Sequence, residues 1–433
     1  MKPNLTLLAF TMAIPMIGMA EETPISTPTT YEATGEISPD IPNEFTLAEE
    51  HDGNGLQHRS HKNAPNNQVD VENLDLPRFS IIGKDNKFFM GLGGYLKATA
   101  GFDFGNPIDN ASDFRVADIP MRHTPGNGGK FSISAQQSML YLTMGYLPGD
   151  KYEISTYING EFLGDNYNFV IENAYLKFLG FTAGYGYGLF FDTEATPTTI
   201  DHQGPNGEVM LSNGIFDYQC TLGKWSFAIG AEMPLEIDYE TDHTYKVNQR
   251  IPDVPLFVQY NLPGGGHVRV AGLIRTMQYR DMVHEKNRNA FGYGLQLSAV
   301  EQVNPKFQFF CQATTGRGIS SYFQDLADMN LDLALTSTEG KLSTVKSWGG
   351  YAGVQYCFSD KVFATATYSH LRIYPRNAEP DTYRYGQYLS ANIFWDITSM
   401  FQCGMEYIYG RRVNMDGIQA HNNRLQTMLQ VTF

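Results

Sequence analysis

The sequence predicts an all-β chain: a transmembrane antiparallel β-barrel of about 16 strands with a disordered N-terminal arm. Three observations predict it. Apolar and polar residues alternate with period two in segments that recur from Phe88 to the last residue. The connections between those segments are by turns very short and long, as in barrels with tight turns on one rim and loops on the other. Aromatic residues make up 13%, there are 42 Gly, and the mean hydropathy is only -0.31. A polar lumen inside an aromatic-girdled wall needs that mixture.

The N-terminus sets the compartment. Lys2 precedes an apolar run from Leu5 to Ile17, interrupted by Thr6, Thr11 and Pro15. Gly18, Met19 and Ala20 then form a small-x-small pattern before Glu21 and Glu22. Residues 1–20 read as a secretory signal peptide cut after Ala20. The run is shorter than the ~18 apolar residues a spanning helix needs, and no Cys follows the cut to carry a lipid. Residues 21–80 hold twelve Asp/Glu and three Lys/Arg, so this segment carries -9 of the formal -15. With STPTT, ISPDIPN and NAPNN and no periodicity, it reads as a flexible acidic arm. Such a balance excludes nucleic acid as a partner, because phosphate contacts need basic patches. Residues 81–433 remain for the barrel.

The strands are expected in this order. Phe88 to Phe104 precedes a long polar loop to Gly129. Phe131 to Tyr146 turns at Leu147-Pro148-Gly149-Asp150 into Tyr152 to Phe162, then Phe169 to Leu179 turns at Gly180 into Thr182 to Leu189. The long loop Phe190 to Asn213 leads to Gly214 to Leu222, which turns at Gly223-Lys224 into Trp225 to Pro234. Val254 to Tyr260 turns through Asn261 to Gly266 into His267 to Arg280, and Phe291 to Gln302 turns at Val303-Asn304-Pro305 into Lys306 to Gly316. After another long loop come Ser347 to Phe358, Val362 to Ile373, Tyr385 to Trp395, Met400 to Gly410 and His421 to Phe433. An even count puts both ends of the barrel on the short-turn, periplasmic side.

Parity orients the side chains. In the last strand Leu425, Thr427, Leu429, Val431 and Phe433 share one face, and Arg424, Gln426, Met428, Gln430 and Thr432 share the other. The first set suits lipid and the second water. A chain that stops on Phe433 after such alternation resembles the C-terminal signal read by the barrel-assembly machinery. The same test turns Glu406 and Arg412 inward, and Glu153, Tyr157, Asn159 and Glu161 inward on an early strand. Arg269 and Arg275 are assigned to the lumen, since an arginine facing lipid at mid-membrane costs ~2–4 kcal/mol.

Other chemistry finds little support. Cys220, Cys311, Cys357 and Cys403 are far apart inside strand-like stretches, so they read as wall residues rather than a disulfide framework. The ten His form no ligand cluster, and no metal or other cofactor is expected. No Gly-x-Ser-x-Gly elbow precedes a helix. Two alternatives stay open: an outer-membrane barrel hydrolase, using inward carboxylates such as Glu153 and Glu161, and a secreted carbohydrate-binding β-protein.

From about Phe89 to Phe433 the chain resembles the DcaP-type trimeric outer-membrane transporters. The likeness is carried by Gly93 to Lys97, Phe131 to Ser138, Tyr157 to Gly164 and Glu172 to Tyr175. It continues through Phe190-Phe191-Asp192, Thr199-Ile200-Asp201 and Gly204-Pro205 to Gly316 to Ile319, Met405 to Arg412 and Asp416-Gly417. The resemblance implies a homotrimeric, sixteen-stranded channel for passive uptake of small organic acids such as dicarboxylates, held in outer-membrane lipid. Relatives often carry an N-terminal coiled coil, and residues 21–80 show no heptads. The loop from Phe190 to Asn213 carries Asp192, Glu194, Asp201 and Glu208 with His202 and no Lys or Arg. These carboxylates are expected at a pore constriction, facing Arg275 and Arg424 across the bore.

Overall fold

The computed structural model describes residues 79–83, 87–122, 125–126, 128–146, 154–236 and 239–433. The signal peptide, the arm up to residue 78 and the expected lumen residue Glu153 lie outside the described residues.

Sixteen strands close into one antiparallel barrel. They are β1 (Phe88–Gly105), β2 (Gly129–Ser134 and Met139–Tyr146), β3 (Ile154–Gly164), β4 (Asn168–Phe178), β5 (Phe181–Tyr187), β6 (Ser212–Leu222), β7 (Trp225–Glu232) and β8 (Val254–Asn261). The second half comprises β9 (His267–Asp281), β10 (Lys286–Asn304), β11 (Phe307–Arg317), β12 (Lys346–Ser359), β13 (Val362–Tyr374), β14 (Tyr383–Asp396), β15 (Phe401–Asn414) and β16 (Gln419–Thr432). Each pairs with its sequence neighbours, and β1 closes on β16 in a register running from Tyr95↔Thr432 to Gly105↔Asn422. Phe433 completes the seam by exchanging both backbone hydrogen bonds with Gly94, at 2.9 and 3.1 Å.

Short turns join β4 to β5 and β6 to β7. Leu179 and Gly180 adopt φ values of 50° and 82°, and Gly223 adopts 63°, the left-handed conformations a two-residue hairpin requires. Alternation then sorts the wall. Leu425, Leu429, Leu389, Ile393, Trp395 and Met405 are exposed on the outside, while Glu406, Arg424 and Gln426 are buried inside. Outward rings such as Trp225, Trp395 and Trp348 lie near strand ends, where an aromatic girdle meets the two membrane interfaces. No described helix is long and apolar enough to cross a membrane; this chain crosses with strands.

The structure departs from the expected elements at a few places. Phe79–Ile82, half of it within the expected arm, pairs with β1 from Phe79↔Leu92 to Ile82↔Phe89. The expected single strand Phe131 to Tyr146 is interrupted at Ala135–Ser138, where Ser138 Oγ accepts a hydrogen bond from the Lys97 N–H at 3.1 Å. Strand β10 starts at Lys286 rather than Phe291, because its polar head pairs with β9 up to Asp281↔Lys286. A hairpin of Leu333–Leu335 and Leu342–Thr344 lies within the loop after β11. All four cysteines are free.

Three of the long connections have buried cores: the first loop (106–128), the third (188–211) and the sixth (318–345). Phe190, Val209, Ile319, Tyr322, Phe323 and Leu326 pack with the inward Leu273, Leu371 and Ile373. Phe114, Val116 and Ile119 of the first loop pack on Tyr388 and Ile408, and Ile200 packs on Phe363, Phe394 and Met428. Inward residues here are apolar because loops, rather than water, cover them. That is a departure from a purely polar lumen.

Candidate pore constriction

The third loop is fastened to the wall by its carboxylates. At its start Asp192, fully buried, accepts from His267 Nε2 at 2.8 Å and from Ser298 Oγ, and forms an ion pair with Arg269 at 3.4 Å. Burial alone would raise its pKa, but Arg269 and His267 outweigh it and hold the carboxyl at about 2. Glu194 lies on the same imidazole, 3.2 Å from His267 Nδ1, and is the only one of the four loop carboxylates left well exposed.

Asp201 is buried midway along the loop. It accepts from the Phe114 N–H of the first loop at 2.8 Å and from Gly204 N–H at 3.0 Å. Glu406 on β15 accepts from the backbone N–H groups of Ile200 and Asp201 at 3.1 and 2.9 Å, and from Asn392 and Gln426. Burial, with the Glu406 charge close by, pushes Asp201 up to about 7. Glu208 accepts from Thr196 at 2.6 Å and from Gln324 of the sixth loop at 3.0 Å, and burial raises it to about 8. Asp325 of the sixth loop accepts from the Ala117 N–H of the first at 3.2 Å, and burial raises it to about 7. The three loops thus form one hydrogen-bonded lattice.

The ion pairs correct the expected opposition of this loop to Arg275, and give Arg424 a different direct partner although its charge still reaches Asp201. Arg275 is buried between Asp253 at 3.2 Å and Asp332 at 2.8 Å, both from other loops. Arg424 is buried on Asp103, with Nε 2.6 Å and Nη2 3.1 Å from its oxygens, and also donates to Asn110 and Ala111 carbonyls. A buried guanidinium takes the nearest carboxylate that can fill its fork, and cross-strand Asp103 is in register with Arg424. Arg269 faces inward onto Asp192 and Gln259, and Arg412 donates to the Ala117 carbonyl and to Asn414 at 3.0 Å. Glu161 faces inward, accepting from Tyr95 OH at 3.0 Å.

Sequence reasoning missed the partners. Asp103, Asp253, His267, Asp325 and Asp332 are ordinary polar residues until closure and loop folding bring them to their cations or amides. His202, noted in the sequence only for being in the acidic loop, bridges Asp113 and Glu161 at 3.1 Å each. Burial opposes its charge, but these two carboxylates raise it well above the usual imidazole value.

The loops cover the inner faces of β9 to β16, where most inward residues are buried and Arg412 is partly exposed. On β3 and β4 the inward Tyr157, Tyr175 and Lys177 stay at least partly exposed, with Tyr141 continuing the row of rings at 6.0 and 5.7 Å spacings, while Asn159, Glu161 and Asn173 are buried. His202, on the edge of the third loop, meets this side through Glu161 of β3. Among the described residues no cluster suits a metal ion.

A closed sixteen-stranded barrel with a lipid-facing apolar wall and loops folded into its bore defines an outer-membrane channel. The Porin subfamily profile matches residues 92–428, and the chain belongs to that family. Its fold is that of the DcaP outer-membrane channel of Acinetobacter baumannii, with a TM-score of 0.71 at 16% identity over 82% of this chain and 100% of that one. OmpT, an outer-membrane protein of Vibrio cholerae, is similar at a TM-score of 0.53 and 11% identity, covering 82% of this chain and 100% of that one. An anion-selective porin from Comamonas acidovorans follows at 0.50 and 8%, covering 80% and 100%. No curated protein matches the chain in sequence. Outer-membrane residence removes the secreted carbohydrate-binding alternative.

Proposed function

We propose that this channel passes small polar and charged solutes by diffusion, with organic acids such as dicarboxylates its preferred class. One observation carries the preference. Asp192, Asp201 and Glu208 are buried and bonded, so most of the acidic loop is hidden from the bore, while Lys177 stays exposed above the Tyr175 ring. The tyrosine row offers hydroxyls and ring faces beside that cation. In a narrow, water-poor passage such charges act more strongly than in bulk water.

Of the residues expected at the constriction, Glu194 is assigned to the rim of the passage. Asp192, Asp201, Glu208, Arg275 and Arg424 are assigned to holding the loops that shape it. The channel is proposed to assemble as a homotrimer through the outer wall of the early and late strands, where Phe102, Phe131, Ile133 and Leu140 are exposed. Closed symmetry is the usual solution for oligomers. Phe433 is proposed as the residue the assembly machinery reads.

Reversal potentials in a salt gradient, together with vesicle swelling in succinate, glucose and arginine, test the selectivity. Succinate is expected to enter fastest. Lys177→Gln is expected to lower the anion-to-cation ratio and Glu194→Gln to raise it. Equal ratios in all three proteins, or faster entry of arginine, would overturn the assignment. A detergent-corrected mass of one chain would overturn the trimer.

A further inference from the structure

The outer wall of β11 to β16 carries an uneven distribution of charge. Its outward positions, read from the register, contain no Asp or Glu. Among the residues with a register partner, its outward Lys and Arg residues are Arg317, Lys346, Arg372 and Arg411. All four lie at the long-loop, extracellular end, and none lies near the periplasmic turns. They are contiguous: Arg317 pairs with Lys346, Trp348 with Arg372, Arg372 with Tyr385, and Gln387 with Arg411.

Rings and neutral groups hold these cations in place. Arg372 lies 4.8 Å from the Tyr374 ring and 5.8 Å from Tyr385; Lys346 lies 5.6 Å from Tyr374, and Arg411 5.9 Å from Tyr385. Trp348 Nε1 donates to Tyr374 OH at 3.1 Å, and Arg411 Nη1 to Gln387 at 3.2 Å. The Arg372 Nε is buried with no hydrogen-bond partner among the described residues. Directly toward the membrane centre the same faces turn apolar, through Val354, Leu389, Ile393, Met405 and Leu425.

We propose that this belt binds the phosphate groups of an acylated glycolipid of the outer leaflet, with the acyl chains lying on the apolar wall below. A row of cations at the edge of hydrocarbon, with no carboxylate on its own face, calls for an anion the membrane supplies. Guanidinium forks suit phosphate oxygens, and the aromatic rings already orient the forks. A second copy of the chain is a poorer occupant. The outward positions of β1 and β2 carry no carboxylate to meet the belt. Strands β12 to β15, which carry three of the four cations, are 13 or 14 residues long, enough to cross the whole bilayer against lipid, and this leaves β16 with the early strands for the proposed trimer wall.

The test uses the full-length channel purified in detergent, with bis-phosphorylated lipid A and its dephosphorylated form as probes and native mass spectrometry as the readout. The wild type is expected to retain the phosphorylated lipid about tenfold or more tightly than the dephosphorylated one. The double variant Arg372→Gln, Arg411→Gln is expected to lose that difference, while Lys361→Gln in a periplasmic turn keeps it. Unchanged conductance and heat-modifiable mobility of the double variant show that its barrel is intact. Millimolar inorganic phosphate is expected not to displace the lipid. Equal retention of the two lipids, an unaffected double variant, full displacement by free phosphate, or chain-to-chain crosslinks through Lys346 would each overturn the proposal.

Discussion

Gly207 of the third loop lies against Gly350 of β12 so closely that a Cβ on Gly207 would fall 2.5 Å from the Gly350 nitrogen and 2.7 Å from the His370 carbonyl oxygen. Those atoms belong to the barrel wall and cannot move aside. The Gly207 N–H also donates to Ser369 Oγ at 2.8 Å, so backbone contact here seats the loop.

Gly207→Ala is therefore expected to lift the third loop off the wall. Overpacking of this kind costs about 1–3 kcal/mol. It should appear as faster hydrogen exchange in residues 188–211 and an altered single-channel conductance, with barrel strand protection unchanged. Wild-type exchange and conductance would show that the loop is not seated through this contact.

Arg275→Ala leaves Asp253 and Asp332 facing one another across a vacated buried site. Breaking one side of a buried pair costs about 3–5 kcal/mol. Loosening of the sixth loop is the expected outcome, detected as protease cleavage between residues 318 and 345. The double variant Arg275→Ala, Asp332→Asn should recover part of the loss. Arg275→Ala with unaltered proteolysis would place the pair outside the loop's support.

The loop lattice is expected to loosen as pH rises. Asp201, Glu208 and Asp325 have folded pKa values near 7, 8 and 7, above their ordinary values. A carboxyl raised in this way favours the packed loops below its ordinary value, and that contribution is lost as pH rises through about 7 to 8. Asp192 has the opposite sign. Depressed to about 2, it supports the packed state above its ordinary value and loses that support as pH falls toward 2. Channel noise and loop exchange should therefore rise from about pH 4 to about pH 8 and level off above that, and Glu208→Gln should blunt the rise. A profile flat across that range in the wild type would contradict the burial of these groups.

Phe433→Ala is expected to reduce the amount of channel in the outer membrane under envelope stress, with little effect on barrels already folded. The backbone exchange between Phe433 and Gly94 survives the substitution, because it needs only the main chain. Membrane fractionation with heat-modifiable gel mobility measures it. Wild-type abundance would remove the terminal ring from the assembly signal.

Much of the wall is legible in the sequence. Alternation through residues such as Leu425, Leu429, Glu406 and Trp395 fixes which face meets lipid, because period-two backbone geometry and the cost of a charge in hydrocarbon act residue by residue. Turn chemistry at Gly180 and Gly223 ends strands for equally local reasons. The inward direction of Arg269, Arg275 and Arg424 follows from the same rule. Their partners do not. Asp103 meets Arg424 only when the first strand closes on the last, and Asp332 meets Arg275 only when a loop of 28 residues folds into the bore. The acidic loop reads as a charged filter in sequence, yet three of its four carboxylates are buried as anchors. Pattern decides the face of each side chain, whereas the depth of a loop and the identity of a buried partner depend on contacts between segments far apart in the chain, from 57 residues for Arg275 and Asp332 to 321 for Asp103 and Arg424, which only tertiary packing selects.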